Sequence, residues 1–109
     1  MAQRTYRVTV RGRFEGLDEV TRARLRSQAA EHDVLVARFS DEGTLTYDER
    51  VDAFQHRSVV RVDEGAGEED VALTAGELAA VEYLEAAGLG YGRLRSAATC
   101  MDDVKVRRR

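Results

Sequence analysis

"RTYRVTVRGRFEGL" (residues 4–17) decides the fold. Tyr6, Val8 and Val10 alternate with Arg7, Thr9 and Arg11, so one side of this run is apolar and the other polar and cationic. Strict alternation marks a strand that is covered on one face only. Gly12 and Gly16 then bracket a turn, and a helical pattern starts at Leu17. A half-covered strand that turns directly into a helix opens a sheet with its helices on one side.

Working outward, "LDEVTRARLRSQAAEHD" (17–33) reads as a helix with acids at its start and arginines later, as the helix dipole favours. Leu17, Thr21, Leu25, Gln28, Ala29 and His32 share one face, a thin stripe that depends on the sheet beneath it. "VLVARFS" (34–40) reads as a strand and "DEG" (41–43) as a turn with Gly43. Residues 44–62 read as a second, longer strand interrupted around "DERVD" (48–52). Its later half alternates Phe54, His56, Ser58, Val60 and Val62 with Gln55, Arg57, Val59 and Arg61. "DEGAGEED" (63–70) is a loop that leads into an Ala-rich helix over 68–88, weakened by Gly76 and stopped by Gly88. "YGRLRSAATCM" (91–101) is the last strand. The order β-α-β-β-α-β implies an α+β, ferredoxin-like split βαβ fold. That fold is a four-stranded antiparallel sheet, spatial order 4-1-3-2, with two helices on one face. Residues 1–104 form a single domain in this reading, and "KVRRR" (105–109) is a basic C-terminal tail.

Composition narrows the class. At 109 residues the chain is long enough to bury a core without metals or disulfides. No apolar run reaches the roughly 20 residues of a membrane helix, and the strand starts too early for a signal peptide. The single Cys100 excludes an internal disulfide, fits a cytoplasmic setting and reads as a small buried residue. Lys105 is the one lysine among seventeen basic residues, a bias toward GC-rich codons that points to a bacterial source. The net charge of −3 argues against a general nucleic-acid binder, which needs a positive field.

Two resemblances follow from quoted residues. The turn "VRGRFEGL" (10–17) resembles the phosphate-gripping loop of the acylphosphatases in Gly12, Phe14, Gly16 and Leu17. The family's phosphate-binding Arg falls at Val20, however, and its water-orienting Asn at Phe39. The resemblance therefore implies the fold and not the hydrolase. The backbone N–H groups of 12–17 remain an anion cradle in principle. A second resemblance runs the length of the chain, to a family of small uncharacterised actinobacterial proteins. It rests on "RTYRVTVRG" (4–12), "AAEHDVL" (29–35), "EGTLTYD" (42–48), "EEDV" (68–71) and "GYGRLRS" (90–96). It implies the fold class and supplies no active site.

Two constellations carry functional expectations. If the alternation holds, Arg7 and Arg11, Arg57 and Arg61, and Arg93 and Arg95 lie on three adjacent strands, on the face away from the helices. Six guanidiniums there suit an anionic small molecule or an acidic protein partner, each charged hydrogen bond being worth about 1.5–3 kcal/mol. The competing reading is a solvated sheet face. RNA recognition needs exposed aromatics, whereas Tyr6 and Phe54 fall on the core side. The second constellation is His32 and His56, both on core-facing positions with Ser58 and Tyr6 nearby, a general base in a helix–sheet pocket. Cofactor-independent cyclases and monooxygenases of this fold use such a pocket, a likeness at the level of fold only. The expectation is a binding domain that self-associates as a homodimer and recognises an anion. The alternative is a cofactor-independent enzyme with a histidine base. No cofactor or metal site is expected.

Overall fold

The computed structural model describes residues 2–32, 39–40 and 43–102. Its elements are β1 (Gln3–Arg13), α1 (Glu19–Ser27), a 3-10 turn (Ala29–His32), β2 (Thr44–Tyr47), β3 (Ala53–Asp63), α2 (Glu68–Ala86) and β4 (Arg95–Cys100). The strands are antiparallel in the order β2-β3-β1-β4, the expected 4-1-3-2 read from the other edge. This is the α+β ferredoxin-like arrangement. None of the helices is long and apolar enough to cross a membrane, among the described residues.

The alternation in β1 does what period two requires: Tyr6, Val8 and Val10 are buried, whereas Arg7 and Arg11 are exposed. Both helices cover the apolar side. Ala72 and Ala80 of α2 pack with Val8, Val10, Val62 and Cys100, and Leu25 of α1 packs with Leu45, Tyr47 and Phe54. Burying each of the larger side chains contributes about 1.5–3 kcal/mol.

Capping sets the helix limits. Asp18 accepts from the Thr21 N–H at 2.7 Å and starts α1, which ends at Ser27, short of the expected 33; residues 29–32 continue as 3-10. At the other helix, Gly88 adopts φ +74, its N–H donates to Glu85 O, and the Leu89 N–H donates to Leu84 O. That paired closure lets Leu89 return to the core.

One element departs from expectation. Residues 44–47 are β2 itself, joined to β3 by a hairpin over 48–52, so the expected interruption is a reversal of direction. Of the expected strand at 34–40, residues 34–38 lie outside the described residues, and Phe39 and Ser40 are described. Two features turn the chain at 48–52. Val51 is fully buried at φ +52, a costly backbone for a branched residue, so its burial and the surrounding hydrogen bonds hold it there. Arg22 and Arg26 of α1 donate to the carbonyls of Val51, Arg50 and Glu49 and clamp the hairpin to the helix. The last strand also starts later than expected, at Arg95, with Tyr91 making only an isolated bridge to Phe14. The basic tail at 105–109 lies outside the described residues.

Candidate functional site

The open face follows from the register. Thr9 is opposite both Arg57 and Ala97, Arg7 opposite Val59 and Thr99, and Arg11 opposite Gln55 and Arg95. Directly opposed residues share a face. The open face therefore carries Arg7 and Arg11 from β1, Arg57 and Arg61 from β3, and Arg95 from β4. Arg93 is also exposed but lies in the connection before β4 rather than on the strand.

Arg11 and Arg95 oppose one another across the β1–β4 pair, and like charges so placed repel. Neither takes part in a hydrogen bond or ion pair among the described residues, and the same holds for Arg93 and Arg7. A groove of about 730 Å³ opens at this end of the sheet, with Arg11, Arg13, Arg93 and Arg95 in its wall and Ala53 and Gln55 on its floor. Asp52 holds Arg13 through both carboxylate oxygens, at 3.0 and 3.1 Å. Glu15 and Asp48 also line the groove, leaving three unpaired guanidiniums against two carboxylates. Further along the face, the Phe39 ring lies 5.1 Å from Arg7 Cζ and 5.5 Å from Arg57 Cζ. Arg57 donates to Gln55 Oε1 at 3.2 Å, while its Nε is buried without a partner.

The sequence missed two members of this surface. Arg13 has the same parity as Arg7 and Arg11, so the alternation already pointed to it. No local pattern announced Phe39, whereas Tyr6 and Phe54 lie on the core side as expected.

The turn before α1 is not an anion cradle. The Phe14 and Glu15 N–H groups donate to Asp52 O and Gly90 O, both at 2.9 Å, and the Asp18 carboxylate occupies the start of α1. Thr21's hydrogen bonds hold that carboxyl below its ordinary pKa, so it keeps a negative charge where an incoming anion would sit.

The two histidines are in different places. His56 has no exposed surface, sits edge-on to Tyr83, and has Gly43 against its ring. Among the described residues neither ring nitrogen has a partner, nor does Ser58 Oγ on the same face, and burial pushes the imidazole pKa down. His32 stacks on Tyr47 and places Nδ1 2.7 Å from Leu45 O, which fixes the proton on Nδ1. It lines a pocket of about 380 Å³ with Arg24, Gln28 and Tyr83. Tyr6, expected near the histidines, instead donates its hydroxyl to Glu68 Oε2 at 2.6 Å. Among the described residues no three metal-ligating side chains cluster.

Fold and site together define a small α+β domain with one helix-covered sheet face and one arginine-bearing face. The chain belongs to a family of unknown function (DUF6204), whose profile covers residues 1–109. Neither a curated protein nor a solved structure matches it significantly.

Proposed function

We propose that this chain is a non-catalytic binding domain whose open sheet face takes an anionic small molecule or the acidic side chains of a partner. The observation that carries the reading is the opposed pair Arg11 and Arg95, two charges in register with no acid between them. Such a pair costs stability in the free protein, and a bound anion converts the repulsion into two charge-assisted hydrogen bonds. Arg93 adds a third donor at the same groove. Titration with pyrophosphate at low salt, followed by amide chemical shifts, tests this. Shifts are expected around residues 11–13 and 93–97. Arg95→Ala should weaken binding tenfold or more, since a charged hydrogen bond is worth about 1.5–3 kcal/mol. Unmoved amides at that groove sink the reading.

A second reading is favoured by His32. Its Nδ1–H is committed to Leu45 O, which orients the ring at a pocket wall and places the lone pair of the neutral imidazole on Nε2. His56 is sealed and does not fit that role. Diethyl pyrocarbonate should acylate His32 and spare His56 in the folded protein. Equal modification of both, or of neither, removes the basis for a histidine-based enzyme.

A further inference from the structure

We infer that the anion taken by the arginine face is a nucleotide, its phosphates at Arg11 and Arg95 and its base against Phe39 and the flanking guanidiniums. The inference rests on the anion-binding reading above and goes beyond it by naming the ligand class. Three observations carry it. First, Phe39 places a ring on a face that otherwise holds strand side chains, with Arg7 and Arg57 both within stacking distance of it. Aromatic rings and arginine planes side by side are the surfaces on which nucleobases stack. Second, the Nε of Arg57 is buried at the aromatic end and has no partner among the described residues. Third, the spacing suits a single nucleotide. Arg57 is opposite Thr9, two residues along β1 from Arg11, and Arg7 is two residues further. At about 3.4 Å per residue these rows lie roughly 7 and 14 Å from the phosphate end, a span that a base, sugar and phosphates cover.

A strand of nucleic acid is a poorer fit. The chain carries a net charge of −3, which does not supply the positive field that a polyanion follows. Glu15, packed on Gly92, and Asp48 also line the groove and repel a continuing phosphate backbone.

Calorimetric titration with ADP and with pyrophosphate, the same phosphates with and without a base, tests the inference. ADP should bind about tenfold or more tightly than pyrophosphate, the size of one stacking contact. Phe39→Ala should bring ADP down to the pyrophosphate affinity and leave pyrophosphate itself unchanged. Arg95→Ala should weaken both. Equal affinities together with a silent Phe39→Ala overturn the nucleotide and leave the anion site standing. Failure of both ligands to bind overturns the two together. Circular dichroism of each variant confirms that it is folded before titration.

Discussion

At the scale of single residues, His56 stands out among the described residues as a buried polar side chain with no hydrogen bond. Its imidazole is fully buried with both nitrogens unpartnered, and Ser58 beside it has an orphaned hydroxyl. Burial depresses the folded pKa below the ordinary 6.5, so the unfolded chain takes up the proton first as pH falls. Stability from this group is complete above the ordinary value and is lost as pH drops through it toward the folded one. His56→Leu should therefore raise stability by about 1–3 kcal/mol at neutral pH, because an orphaned polar group is replaced by an apolar one of similar size. It should also flatten the fall in stability as pH drops below the ordinary imidazole value of 6.5. Urea melts at several pH values check both parts, and an unchanged slope in the variant refutes the assignment. The sequence put His56 on the core side correctly, because period two is enough for that. It could not show that the imidazole has no partner, since a hydrogen bond depends on which segments meet. Phe39 was hidden for the same reason: its neighbours Arg7 and Arg57 belong to other strands.

At the scale of elements, α2 shows how a local rule loses to packing. Gly76 reads as a weakness in the helix, and alanine there should gain about 1 kcal/mol of propensity. A Cβ at Gly76, however, would run into the Val8 side chain of β1, which is fully buried. Overpacking of this kind costs about 1–3 kcal/mol, so Gly76→Ala should destabilise the protein on balance. Adding Val8→Ala should cost less in the Gly76→Ala background than alone, a coupling that a double-mutant cycle reads directly. Additive effects would mean that helix and strand do not meet there. The other end of α2 is fixed by Glu68, which accepts from Arg4, Tyr6 and the Gly65 N–H and is held below its ordinary pKa chiefly by the tyrosine. The contacts of Glu68 with Arg4 and Tyr6 span 64 and 62 residues and have no sequence signature. The boundaries of β2 were misread for a related reason. A hairpin at 48–52 separates β2 from β3, held by Arg22 and Arg26 reaching over from α1, and Asp41 and Glu42 of the expected "DEG" turn lie outside the described residues. Element order and strand order were legible because handed crossovers and alternation leave few arrangements open.

For the whole molecule, charge is unevenly placed although the net value is only −3. One sheet face gathers Arg7, Arg11, Arg57, Arg61 and Arg95, with Asp63 at the end of β3, while exposed Glu64, Glu69 and Asp70 sit in the β3–α2 connection and the first turn of α2. Pairing two copies through their open faces would set arginines against arginines, so we read self-association as dependent on an anion or on screening. The Debye length falls from about 10 Å at 0.1 M salt to about 3 Å at 1 M, which removes most of that repulsion. Light scattering on a sizing column should give the 12.2 kDa chain mass at low salt. The mass should rise toward twice that value at high salt or with saturating pyrophosphate. Arg11→Glu places a negative charge opposite Arg95, and the variant should self-associate at low salt without added anion. A wild-type dimer at low salt that Arg11→Glu leaves unchanged would move the contact away from this face, to an edge such as β4. In that case the arginines would remain open to solvent in the assembly, and the anion titration alone would decide what the face is for.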